Sequence, residues 1–211
     1  MPPVLGLILA GGLARRMGGG DKVLRPLAGR TLLERVTERL APQCPTGLML
    51  SANGDPERFS DFPGPILPDG VSGHPGPLAG ILAGLDHAAE FHRTVEWMVS
   101  VSGDAPFLPR NLVARLVAAR NEAAIVLAAS GARQHYTVAL WSVGLREDLR
   151  TALVERGDRR VGGFIDRHGA AVVAWPVEPI DPFLNVNTPD DLRAAASLFE
   201  EGVSDPGKAP V

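Results

Sequence analysis

Residues 4–9 read Val-Leu-Gly-Leu-Ile-Leu, and a glycine-rich stretch follows at once. Six residues without polar alternation suit a strand buried on both faces, which belongs inside a sheet covered on both sides. The stretch after it holds Gly11, Gly12, Gly18, Gly19 and Gly20, with Arg15, Arg16 and Lys22 set among them. Glycine lets a backbone come close to a ligand and present its N–H groups. Cations beside it neutralise phosphate charge. A strand opening into glycines and cations is what a nucleoside triphosphate site needs. It matches neither common phosphate motif: Lys22 is followed by Val23 rather than Ser or Thr, and the glycine spacing is not GxGxxG.

Downstream, strand-like and helix-like segments alternate. Thr31 and Glu34 form a capping-box pair. Leu32, Leu33, Val36 and Leu40 then share one helical face, with Glu34, Arg35, Glu38 and Arg39 mostly elsewhere, and Pro42 marks the stop. Residues 47–50 are apolar and lead into the polar residues 51–55, so strand, loop, helix and strand make a βαβ unit. Residues 65–67 form a short strand with Asp69 after it. Gly76 and Pro77 open a helix whose small residues let it lie close to a sheet or a ligand. Residues 95–101 are a strand that places Asp104 just past its carboxyl end, where open α/β sheets bind ligands.

Further strands are expected at 124–128, 136–141 and 170–175, and helices around 112–117, 145–153 and 161–167. Thr188, Pro189, Asp190 and Asp191 have the chemistry of a helix start. The alternation predicts a three-layer α/β domain with a mainly parallel sheet, spanning residues 1–201. The ten residues after it are expected to be disordered.

Composition narrows the function. Glycine and proline, 24 and 19 residues, stay below the share that marks disorder, and 45% hydrophobic residues supply a core. A net charge of −3 gives no footprint for nucleic acid, so an anionic ligand must be met by local cations. The single cysteine, Cys44, excludes a disulfide framework and a cysteine-based zinc site and fits a reducing compartment. The first apolar run is too short to span a bilayer. The chain therefore reads as soluble and cytoplasmic.

Four motifs occur in order: LAGGxxxRMGGxDK at 9–22, GPLAG at 76–80, GDAP at 103–106 and NVNTPDDL at 185–192. In these the chain resembles the molybdenum cofactor guanylyltransferases, within the nucleotidyltransferases of Rossmann-like α/β fold, over residues 4–200. The resemblance implies transfer of GMP from GTP to molybdopterin, with or without bound molybdenum, and release of pyrophosphate. It places GTP against Leu9, Ala10, Gly11, Gly12, Lys22, Asn53, Asp69, Gly76 and Asp104, with Mg²⁺ on Asp104 and with Arg16, Lys22 and Asp104 as the catalytic set. The acceptor side would involve Arg156, Arg159, Arg160, Asn185 and Asn187. Molybdoenzymes or their chaperones are the further partners it implies. The family usually has His-Pro-Thr where this chain has His135-Tyr136-Thr137.

Read without that resemblance, several residues stay open. Asp104 by itself reads as a turn aspartate, Asn187 as turn chemistry before the Thr188 cap, and the 156–160 arginines as a solvated helix end. His135 is the one histidine whose placement calls for a test. A nucleotidyltransferase using CTP or a sugar phosphate, and a non-catalytic nucleotide-binding module, are the competing functions.

Overall fold

A computed structural model describes residues 2–11, 20–71 and 76–201. In chain order the elements are β1 (Val4–Leu9), β2 (Pro26–Leu27), β3 (Arg30–Thr31), α1 (Leu32–Leu40), β4 (Leu48–Ser51), β5 (Ile66–Leu67), α2 (Pro77–Phe91) and β6 (Trp97–Ser102). There follow α3 (Leu112–Ala118), β7 (Ile125–Ser130), β8 (Arg133–Ser142), α4 (Arg146–Val154), α5 (Val161–His168), β9 (Ala171–Trp175) and α6 (Pro189–Glu200). The expected disordered tail, 202–211, lies outside the described residues, as do Gly12, Arg15 and Arg16 of the glycine-rich stretch.

Seven strands form one sheet in the order β5-β4-β1-β6-β8-β7-β9. β1 runs parallel to both β4 and β6, with Leu9 opposite Ser51 on one side and Ser102 on the other. Only β8 is antiparallel to its neighbours β6 and β7. β1 is buried at all six positions, as its unbroken apolar run requires. Its side chains divide between two cores. Val4 and Ile8 meet Val36 and Leu40 of α1 and Leu116 of α3. Leu5, Leu7 and Leu9 meet Ile81 and Leu85 of α2, Leu149 of α4 and Phe164 of α5. Helices therefore cover both faces of the sheet in three layers.

The small residues of α2 serve the sheet. A Cβ at Gly80 would lie 2.3 Å from Ser51 Oγ and 3.0 Å from Leu9 Cδ2, and one at Gly84 would lie 2.7 Å from Met98 Sδ. Thr31 caps α1 with the expected reciprocal bonds to Glu34. Arg39, expected on the solvent side, is buried and donates from Nη1 to the Leu108 carbonyl at 2.9 Å. Between β6 and β8, buried Ser100 donates to the Thr137 carbonyl at 2.9 Å and accepts from Trp141 Nε1 at 2.8 Å, so the polar groups at this seam are satisfied. Cys44 is buried, which pushes its thiol up to about 12 and leaves it unreactive.

A third, smaller core joins the β2–β3 hairpin to α6. It contains Leu27, Leu32, Phe107, Val186 and Ala195, with Phe199 packed against it. The Arg35 guanidinium lies 4.3 Å from the Phe199 ring centroid. This core ties the segment after the glycine-rich stretch to the last helix.

Candidate functional site

The carboxyl ends of β1, β4, β5 and β6 open onto one cavity of about 590 Å³. Leu9, Ala10 and Gly11 reach it from β1, Asn53 from β4, Asp69 from the turn after β5, and Gly76 and Pro77 from the start of α2. The ladder continues past the strand ends: the Ala10 N–H donates to the Ser51 carbonyl at 2.9 Å and the Ala52 N–H to the Leu67 carbonyl at 3.0 Å. The turns that follow are thus held in place. Asn53 and Asp69 bond reciprocally. Asn53 Nδ2 donates to Asp69 Oδ2 at 2.7 Å, and the Asp69 N–H donates to Asn53 Oδ1 at 2.8 Å.

Ser102 also lines this cavity, and its hydroxyl donates to Asp104 Oδ1 at 2.6 Å. The other carboxylate oxygen of Asp104 is paired with the Lys22 ammonium. Lys22 donates further to Asn187 Oδ1 at 2.6 Å. Side chains 82 and 165 residues away from Lys22 thus meet at one ammonium. Lys22 and Asp104 are 14% and 15% exposed, which leaves them reachable while weakening competition from water.

The fold explains how Asn187 arrives there. The Val186 N–H donates to the Asp104 carbonyl at 2.9 Å. Asp191 accepts from the N–H groups of Asn187 and Thr188 at 2.8 and 2.9 Å, while Thr188 Oγ1 accepts from the Asp191 N–H at 3.1 Å. These bonds, led by that of the Asn187 N–H, hold the Asp191 carboxyl below the usual carboxylate range. Turn chemistry and the contact to Lys22 are therefore both made by Asn187. Asn185 enters this turn through its carbonyl, which accepts from Asn187 Nδ2 at 3.3 Å.

A second cavity of about 900 Å³ adjoins the first and shares Pro77 and Thr137 with it. Arg159, Arg160, Gly162, Gly163 and Arg167 line it, together with Tyr136. Arg156 stands outside this lining, 3.9 Å from Asp158. His135 faces the other way. It is buried, its Nε2 is 2.6 Å from Ser130 Oγ, and its ring centroid is 4.7 Å from that of Phe183. Burial keeps its imidazole below its ordinary value. Of the stretch that departs from His-Pro-Thr, Tyr136 and Thr137 reach the cavities and His135 belongs to the core.

Asp21, Arg58 and Ser102 are among the lining residues that had not been singled out. Asp21 adjoins Lys22 and Ser102 adjoins the Asp104 loop, so proximity to the motifs could have found both. Arg58 had no comparable signal beyond its place in a loop after a strand.

Among the described residues no group of three His, Cys, Asp or Glu side chains could hold a metal ion. The carboxylate of Asp104, the hydroxyl of Ser102 and the amide oxygen of Asn187 are hard oxygen donors. Such a sparse set suits a cation that keeps water and takes phosphate oxygens, as Mg²⁺ does. Nor is any helix among the described residues long and apolar enough to cross a membrane.

This geometry has counterparts. A molybdenum cofactor guanylyltransferase of Rhodopseudomonas palustris (strain HaA2) is 56% identical over 199 residues, covering 93% of this chain and 92% of that one. The crystal structure of molybdopterin-guanine dinucleotide biosynthesis protein A from Archaeoglobus fulgidus superposes with a TM-score of 0.72 at 24% identity, over 93% of this chain and 99% of that one. Rv0371c from Mycobacterium tuberculosis H37Rv, solved as a complex with manganese, has a TM-score of 0.67 at 20% identity, over 93% of this chain and 98% of that one. These two likenesses concern the fold alone. Residues 6–172, which run from β1 to β9 and carry both cavities' main walls, match the MobA-like NTP transferase domain. The glycine-flanked strand, the Lys22–Asp104 junction and the curated relative lead to one assignment: the chain belongs to the MobA-like NTP transferase family.

Proposed function

We propose that this chain transfers GMP from GTP to the terminal phosphate of molybdopterin, giving the guanine dinucleotide and pyrophosphate. The convergence of Lys22, Asp104 and Asn187, joined to the lining of the first cavity through the Ser102 hydroxyl, carries this reading. Support for guanylyl transfer in particular comes from the relatives' names. GTP takes the first cavity. Asp69 offers carboxylate acceptors, and Asn53 fixes its orientation. The backbone at Leu9, Ala10 and Gly11 faces the phosphates; Gly12 and Arg16 keep the nucleotide and catalytic roles expected from the sequence motif. Asp104 would hold Mg²⁺, with the Ser102 hydroxyl and Asn187 amide oxygen near enough to assist. When bound, the ion would offset the charge of the triphosphate.

The acceptor lies in the second cavity, its phosphate against Arg159 and Arg160. Its phosphate oxygen attacks the α-phosphorus of GTP, a P–O bond forms, and the bond to the β-phosphate oxygen breaks as pyrophosphate leaves. The nucleophile is already anionic, so no general base is required. The protein's work is to hold two polyanions in line and offset their repulsion. Lys22 supplies charge on the nucleotide side, and Pro77 and Thr137 form the seam across which the substrates meet.

The test is pyrophosphate release by the purified protein with molybdopterin, Mg²⁺ and each nucleoside triphosphate in turn. Release with GTP is expected. Release with CTP alone would assign a cytidylyl transferase. Nucleotide binding without release for any acceptor, sugar phosphates included, would leave a binding module.

A further inference from the structure

Among the described residues, Arg58 is the one cation in the lining of the nucleotide cavity, and the mechanism has not used it. It sits on a short 3₁₀ turn, Pro56–Phe59, just after β4. Asp55 caps that turn by accepting from the Glu57 N–H at 3.0 Å. Phe59 anchors it from behind, buried in the core with Leu33 and Val36 of α1. The arginine is thus held on a short, fixed element rather than on a loose loop.

Its guanidinium donates in three directions. Nε bonds the Asp55 carbonyl at 2.8 Å, Nη2 bonds the Asn53 carbonyl at 2.6 Å, and Nη1 pairs with Asp21 Oδ2. Asp21 precedes Lys22, which pairs with Asp104. Asn53 is half of the amide–carboxylate pair with Asp69. One side chain therefore ties together the segments that carry Lys22 and Asn53. A planar fork can bond in three directions at once, whereas an ammonium on a flexible stem does so poorly.

The charge matters as well as the geometry. Asp21 lines the same cavity, and its side chain is 25% exposed. Unpaired, its carboxylate would face an incoming triphosphate with like charge. Paired with Arg58, it contributes a nearly neutral wall. We propose that Arg58 is a positioning residue for the nucleotide: it cancels the Asp21 carboxylate and locks Asp21 to the Asn53 backbone, so that the cavity is shaped and neutralised before GTP arrives. This rests on reading the first cavity as the GTP site.

The test is equilibrium binding of a fluorescent N-methylanthraniloyl-GTP with Mg²⁺, together with steady-state KM and kcat. Arg58→Met should weaken nucleotide binding and raise the KM for GTP about tenfold, or about 1.4 kcal/mol. The kcat and the KM for the acceptor should stay within about twofold. Arg58→Lys should fail to restore the wild-type value. Asp21→Asn placed in the Arg58→Met background should recover at least about threefold of the lost affinity, an effect that a merely structural arginine would not produce.

Unchanged nucleotide affinity in Arg58→Met, an equal loss in acceptor KM, or no recovery from Asp21→Asn would each overturn the proposal. If Arg58→Met does not fold, Arg58→Gln, which keeps donors for the two carbonyls, takes its place under the same criteria. Should that variant also fail to fold, Arg58 is a structural residue and the proposal falls. A wild-type protein that binds no guanine nucleotide would instead remove the reading of the cavity itself. Wild-type binding matched by the variant would remove only the role of Arg58.

Discussion

The two adjoining cavities are built differently. In and beside the first, the polar side chains are already engaged with one another: Asn53 with Asp69 and Arg58 with Asp21 in its lining, and Ser102 of the lining with Asp104, which Lys22 and Asn187 join. In the second, Arg159 and Arg160 are exposed, and among the described residues no ion pair holds either of them. The backbone there is glycine-rich, at Gly157, Gly162 and Gly163. The contrast is between side chains already fixed by partners and two arginines that are not, although the second lining also holds a fixed pair, Arg167 with Asp158. Side chains already held by partners have less rotamer entropy to lose on meeting a ligand than free arginines do.

Five substitutions would break or sharpen that contrast. The largest effect is expected of Asp104→Asn, which keeps the shape and removes the charge of the residue that ties the partnered side chains together. Pyrophosphate release should fall by about 10²–10³-fold with thermal unfolding little changed. Retention of full turnover would take Asp104 out of the mechanism. Lys22→Ala should come next, weakening GTP binding by about 10–100-fold, the value of one charge-assisted hydrogen bond at a half-buried site. Titration with a non-hydrolysable GTP analogue measures it.

Arg159→Ala or Arg160→Ala should act more gently, raising the KM of the acceptor by about fivefold each while the KM for GTP stays put. An equal rise in both would mean that the two cavities do not divide the substrates. The smallest effect belongs to His135. Burial holds its folded pKa below the unfolded value of about 6.5, with Asp181 opposing the shift and Arg133 adding to it. Its contribution to stability is therefore complete above about pH 6.5 and is lost as the pH falls from there through the folded value. Melting curves at pH 7.5 and 5.5 should show a smaller acid-induced drop for His135→Gln than for the parent, with acceptor KM unaltered. A changed acceptor KM would place the imidazole in the cavity after all.

What could be read from the residues alone follows from the same physics. The β1 run, the capping boxes at Thr31 and Thr188, and Pro77 at a helix start are local signals, and each element formed where its chemistry demanded. The three-layer arrangement followed from their alternation. The place of β8 was not legible, since an antiparallel strand between β6 and β7 depends on pairings such as Val99 with Leu140, which no local pattern encodes. The β2–β3 hairpin escaped because its turn is Ala28-Gly29, with Ala28 at a φ of 47°, rather than an asparagine or aspartate pair. Residues in motifs were named in advance. Arg58 was not, because its importance lies in which three oxygens surround it, and that is a property of the folded chain.

The last helix has a consequence beyond its own packing. From Lys22 the chain runs into the β2–β3 hairpin, the hairpin packs on α6, and the start of α6 presents Asn187 back to Lys22. The path is a closed circuit. Cutting the chain after residue 186 would leave all seven strands of the sheet in place and yet unhook an ammonium group near the opposite terminus. Loss of an ornament at one end would thus be felt as blunted chemistry at the other.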